Sequence, residues 1–131
     1  MKQEMQTVYE MVGGEPAFKN LVDTFYAKVE ADETLSQLFP DDLEPGKQWQ
    51  KLFLMQYFGG PTDYSEIRGH PRLRMRHFPF AIDRNAGQLW LKYMLESIDE
   101  TGISEPARSI MRDYFERAAI HMINTFNPED E

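Results

Sequence analysis

Apolar residues recur at helical spacing along almost the whole chain, and no alternating strand pattern stands out. The cleanest stripe is Phe18, Leu21, Val22, Phe25, Tyr26 and Val29, at i, i+3, i+4, i+7, i+8 and i+11. It predicts an amphipathic helix from Pro16, a favourable first-turn residue, to about Glu30. A shorter helix over about 5–12 should end at Gly13-Gly14. One helical turn should carry Leu35, Leu38 and Phe39 and stop at Pro40. Pro45 opens a helix that runs to Gly59-Gly60-Pro61, with Gly46, Trp49, Gln50, Phe53, Leu54 and Tyr57 on its inner face. Pro61, Gly69, Pro71 and Pro79 make residues 61–82 read as loop with one short helix. Asp83 is placed to cap a long helix bearing Leu89, Trp90, Tyr93, Met94 and Ile98 and ending at Gly102. Ser104 is placed to cap the last, with Ile110, Met111, Tyr114, Phe115, Ala118 and Met122 on one face. The expectation is an all-α chain of four substantial helices around one long irregular segment, and such a segment in a compact domain is usually functional or disordered.

Composition narrows this picture. A length of 131 residues suits one domain, residues 1–131, with an acidic tail at 126–131 expected to fray. At 41% apolar and 27% charged residues the chain reads as a soluble globular protein. No apolar run approaches membrane-spanning length, and the polar N-terminus does not read as a signal peptide. With no Cys, disulfides and thiolate metal sites are excluded, which suits a cytoplasmic location. A formal net charge of −8 argues against nucleic acid or an anionic membrane as partner. Aromatic residues at 13%, with eight Met, suit either an aromatic core or a large flat partner inside.

Against that acidic background the segment RLRMRHFPFAI, residues 72–82, is anomalous. Arg68, Arg72, Arg74, Arg76 and Arg84 cluster here, and no Asp or Glu lies between Ile67 and Ile82. Arginine forks bind carboxylates and phosphates, so the local field suits an anion. His77 stands between these arginines and Phe78-Pro79-Phe80. A ligand with an apolar body, anionic edges and a metal that takes one imidazole would use all three features, and haem is such a ligand. The competing readings are a structural histidine and an arginine set neutralised by the acidic remainder of the chain. His70, in the turn GHP, and His121, near a helix end, suit local roles better, and no Walker loop, GxGxxG, GxSxG or HExxH occurs. On the opposite side, Tyr26 and Gln50 interrupt apolar stripes, and Trp90 can only donate. These three either pair within the core or aim at a diatomic ligand.

Together these residues resemble group II (O type) truncated haemoglobins of the globin superfamily. The resemblance spans essentially the whole chain, through LVDTFYAKV, LFPDDL, FLMQYFGGP, GHPRLRMRHFPFAI and LWLKYM in that order. It implies a truncated globin fold, a two-over-two helical sandwich around haem b. It implies His77 as proximal iron ligand, Tyr26, Gln50 and Trp90 as distal ligand-stabilising residues, and Gly46 as an open distal gate. Phe39, Trp49, Phe53 and Phe80 are implied as haem contacts, with Phe78 a further packing candidate. Relatives tend to carry a basic residue near position 49, where this chain has Trp49 between Lys47 and Lys51. Among Lys47, Lys51, Arg74 and Arg76, the first choice for a propionate is Arg76, beside the histidine. The implied function is oxygen binding, with NO dioxygenation or peroxide chemistry as a second layer, supported by an external reductase. NO, CO, peroxide and sulfide are further implied ligands, and relatives are monomers or homodimers. The rival from another class is a non-haem helical interaction module that docks an acidic partner through the Arg-rich loop 68–84.

Overall fold

The computed structural model describes residues 6–77 and 80–125. Phe78, the side chain of Arg74 and the acidic tail lie outside the described residues. Among those described, all regular structure is helical: α1 (Val8–Met11), α2 (Glu15–Ala31), α3 (Glu33–Ser36), α4 (Glu44–Tyr57), α5 (Asp63–Arg68), α6 (Leu73–His77), α7 (Arg84–Glu100) and α8 (Ala107–Met122). The long helices pair as α2 on α4 and α7 on α8, and α2 also packs on α7, so one pair lies over the other. This is the truncated globin arrangement that the sequence resembled.

The core forms where the stripes are cleanest. All six apolar-face residues of α2, Phe18 through Val29, are buried, and they meet Met94 and Ile98 of α7 and Met111 and Phe115 of α8. Asp83 caps α7 as expected, accepting from the Ala86 N–H at 2.8 Å. A capping box sets the start of α1: Thr7 accepts from the Glu10 N–H, and the Glu10 carboxylate accepts from the Thr7 N–H.

Four expectations need correction. Residues 61–82 hold two short helices, not one. The first is fixed by Gln56, whose amide donates to Ser65 Oγ at 2.7 Å and accepts from the Ser65 N–H at 3.0 Å. Ser104 does not cap the last helix. Pro106 delays its start to Ala107, and the Glu105 carboxylate accepts from the Ser109 N–H and hydroxyl instead. The buried line of α8 is therefore Ala107, Met111, Phe115 and Ala119, which turns Ile110 out to 44% exposure. Tyr57, at the far end of α4, is likewise half exposed and stacks on Tyr114 with ring centroids 4.2 Å apart.

Candidate haem site

α2 and α4 carry the distal candidates Tyr26, Gly46 and Gln50. Tyr26 is 5% exposed, its ring edge-on to Phe25 at 5.5 Å and to Phe39 at 5.8 Å. Burial pushes its hydroxyl pKa up to about 12, so at neutral pH it is a phenol able to donate. Trp90 stands on α7 between Phe25, at 5.4 Å, and Phe115, at 5.8 Å. One buried phenylalanine thus seats both Tyr26 and Trp90. Phe53 is buried beside Tyr64.

Gly46 is exposed, and its φ is not in the left-handed region, so space rather than backbone freedom explains it. A Cβ there would lie 3.0 Å from the Tyr26 hydroxyl oxygen. The absent side chain leaves the hydroxyl open toward the start of α4. One turn further on stands Gln50, whose buried Oε1 has no hydrogen-bond partner among the described residues. A buried unsatisfied amide atom is costly. Turning the amide over presents Nε2 at the same position, so it serves a ligand equally well as donor.

α6 carries His77. Its Nδ1 lies 2.6 Å from the Leu73 carbonyl oxygen. A carbonyl only accepts, so Nδ1 bears the proton, and in the neutral ring Nε2 keeps its lone pair for a metal. Arg76 is half-buried, and its Nε donates to the Pro71 carbonyl at 2.8 Å. Lys47 and Lys51 already face carboxylates, Glu44 at 3.3 Å and Glu15 at 3.2 Å, whereas Arg76 has no acidic partner among the described residues. Trp49 is turned toward α5, edge-on to Tyr64 at 6.0 Å, with the Arg68 guanidinium 4.5 Å over its ring. That contact engages one of the segment's arginines inside the fold. His70 is a turn residue, its Nδ1 accepting from the Arg72 N–H at 3.2 Å. Phe80 is 40% exposed.

Sequence reasoning missed Asn124, whose side chain reaches the His77 carbonyl. It also missed the Leu73 carbonyl, which assigns the histidine tautomer. Neither carries a periodic signal: one is a lone Asn beyond a helix end, the other a backbone atom.

The donor set fits haem. An imidazole has its tautomer fixed, a neutral phenol and an amide oxygen without a partner stand on α2 and α4, and an arginine beside the histidine has no carboxylate partner among the described residues. The family model for bacterial-like globins matches residues 7–124. The chain belongs to the bacterial-like globins. Within them it groups with the group II truncated haemoglobins. It is 44% identical to the crystal structure of the group II truncated haemoglobin of Bacillus anthracis, with a TM-score of 0.91, covering 96% of each chain. It is 59% identical to the haemoglobin of the thermophilic phototroph Chloroflexus aurantiacus, with a TM-score of 0.90, covering 92% of this chain and 99% of that one. It is 40% identical to a truncated oxygen-avid haemoglobin of Bacillus subtilis, with a TM-score of 0.87, covering 91% of this chain and all of the other. As a truncated haemoglobin the protein binds haem and oxygen. No helix among its described residues is long and apolar enough to cross a membrane.

Proposed function

We propose that this globin holds haem b through His77 and retains O2 with three distal donors, the Tyr26 hydroxyl, the Gln50 amide and the Trp90 indole N–H. The observation that carries the reading is the unpartnered Gln50 amide atom, one turn from the glycine that opens the Tyr26 hydroxyl. Bound haem would supply a ferrous iron with reversible affinity for O2. The chain supplies the rest. His77 offers Nε2 because Leu73 takes the proton on Nδ1. Tyr26 stays protonated across the physiological range because burial disfavours its anion. Phe39 and Phe53 give the ring apolar surface, and Arg76 takes a propionate with the guanidinium nitrogens left free by its bond to Pro71. Gly46 leaves the solvent path open. We assign no haem contact to Phe80, given its exposure.

Each donor to a charged acceptor in a buried site contributes about 1.5–3 kcal/mol. That corresponds to roughly 10- to 150-fold in release rate. The pocket therefore suits chemistry on a retained ligand more than delivery, in keeping with the oxygen avidity ascribed to the Bacillus subtilis relative. NO dioxygenation, in which NO, O2 and one electron from an external reductase give nitrate, and peroxide reduction are the candidate reactions. We place the protein in the cytoplasm, as a monomer or homodimer. The rival docking role for loop 68–84 is the weaker reading, since the Arg68 guanidinium lies over the Trp49 ring within the fold.

Stopped-flow oxygen release tests the distal assignment. Tyr26→Phe, Gln50→Leu and Trp90→Phe should each release O2 faster, and native rates in all three would refute it. His77→Gly should lose its proximal ligand and regain a near-native spectrum with added imidazole.

A further inference from the structure

The proximal histidine is the last residue of a five-residue helix, which is too short to persist without tertiary support. Two local hydrogen bonds, His77 Nδ1 to the Leu73 carbonyl within the helix and Arg76 Nε to the Pro71 carbonyl just before it, hold the imidazole relative to α6. They do not fix α6 relative to the rest of the molecule. Leu73, packed against the core, and Asn124, just beyond the end of α8, do. The Asn124 Nδ2 donates to the His77 carbonyl at 3.2 Å and to the Phe80 carbonyl at 2.8 Å, and its Oδ1 accepts from the Ile82 N–H at 2.9 Å. The Asn124 and Thr125 N–H groups both donate to the Ile82 carbonyl, at 2.9 and 3.0 Å. One amide thus uses both its nitrogen and its oxygen on the backbone that leaves the histidine, including the histidine's own carbonyl. The segment bearing it is itself seated. Gly87 of α7 lets Ile123 approach so closely that a Cβ on residue 87 would lie 3.0 Å from Ile123 Cγ1.

We propose that Asn124 is a positioning residue for His77, setting the direction from which its imidazole meets the haem iron by holding the end of α6 to α7 and α8. The inference rests on the reading of His77 as the iron ligand. Groups behind a metal-bound histidine orient its ring and tune its strength as a ligand. Here the ring's own partner, the Leu73 carbonyl, lies on the same short helix, so that bond alone does not orient the ring relative to the fold. A role as mere fastening for loop 80–82 would need only the backbone bonds to Ile82 and the Oδ1 contact. The donation to His77 goes beyond that.

The test is the iron–histidine stretching band in the resonance Raman spectrum of the ferrous, ligand-free holoprotein. Asn124→Ala removes all four side-chain bonds, the three to residues 77–82 and the one from the Thr125 hydroxyl. Asn124→Asp keeps the acceptor for Ile82 and loses both donations, which protects the test if the alanine variant fails to fold. Thr125→Val removes only the hydroxyl that bonds the Asn124 side chain, at 3.0 Å, and serves as control. The expected result is a shifted and broadened band in both Asn124 variants and a native band in Thr125→Val. A native band in both Asn124 variants, with the band lost in His77→Gly, would overturn the proposal and leave the ligand assignment standing. An equal shift in Thr125→Val would overturn it too, as general loosening. A band that survives in His77→Gly would instead remove the ligand assignment.

Discussion

The two walls of the proposed haem site are built by different physics. Tyr26, Gln50 and Trp90 stand on helices of 14 to 17 residues, and their surroundings are aromatic. Packing holds them: Phe25, fully buried, meets Tyr26 and Trp90 edge-on. His77 stands on five residues of helix held by hydrogen bonds, from Leu73 within it and from Asn124, 47 positions away. A packed wall resists small displacements in every direction but carries no preferred proton. A hydrogen-bonded wall fixes one ring orientation and one tautomer. In the proposed site each stands where its chemistry needs it: donors that must reach a ligand of varying shape on the packed side, and an iron ligand whose lone pair must point one way on the other.

The strongest challenge to this contrast is Phe25→Ala. Truncating a fully buried phenylalanine costs about 3–5 kcal/mol. Urea denaturation should register a loss of that size, and oxygen release should accelerate because Tyr26 and Trp90 lose their common neighbour. The proximal Raman band should stay native. A shift there would mean that the two walls are mechanically one unit, and the contrast would fail.

The same contrast explains how much was legible in the sequence. Every apolar-face residue read for α2 is buried, because packing against a core imposes a period and a period is visible in one dimension. The reading weakened where that link breaks. Ile110 and Tyr57 belong to apolar stripes but lie at helix ends, where a shifted start or a neighbouring terminus exposes them. Across residues 61–82, prolines and glycines suggested mostly loop, and the second short helix escaped notice because tertiary hydrogen bonds support it. His77 was visible as chemistry, through its place between arginines and aromatics, and Gly46 through resemblance. What makes His77 usable, a carbonyl four residues back and an amide beyond α8, leaves no pattern in sequence.

Gly46 offers a sharper and smaller test, since it lies where the packed wall opens. Alanine in a helix gains about 1 kcal/mol over glycine. Against this stands a Cβ pinched at 3.0 Å from the Tyr26 hydroxyl. Gly46→Ala should therefore leave thermal stability near the native value while slowing CO association, measured by flash photolysis, and Gly46→Leu should slow it further. Unchanged association in the leucine variant would show that ligands reach the pocket by another route.

The smallest effect concerns the joint between α3 and α7, where packing and hydrogen bonding meet. The Tyr93 hydroxyl donates to the Asp32 carboxylate, which also caps α3 by accepting from the Thr34 N–H at 2.9 Å and the Leu35 N–H at 2.8 Å. The Tyr93 bond, then the Leu35 bond, hold the Asp32 carboxyl below its ordinary pKa, and the Asp32 bond raises that of Tyr93. The signs follow from which state binds the proton more readily. The unfolded chain protonates Asp32 first, so its stabilisation is complete above the ordinary carboxylate range and is lost as pH falls through the folded value. Tyr93 is the reverse: the folded state keeps its proton longer, so its contribution is full below the ordinary tyrosine value and is lost at higher pH. Stability should hold a plateau between these limits. Tyr93→Phe should lower that plateau slightly and flatten both edges, without abolishing the acid edge, because the two backbone donors to Asp32 remain. Since the pair stands near solvent, where water and salt screen it, the change should be smaller than that from Phe25→Ala and should shrink as salt is added. Denaturation midpoints across pH at two ionic strengths decide the matter. An acid edge in Tyr93→Phe identical to the native one would show that the backbone caps alone hold Asp32, and that this joint belongs with the packed wall.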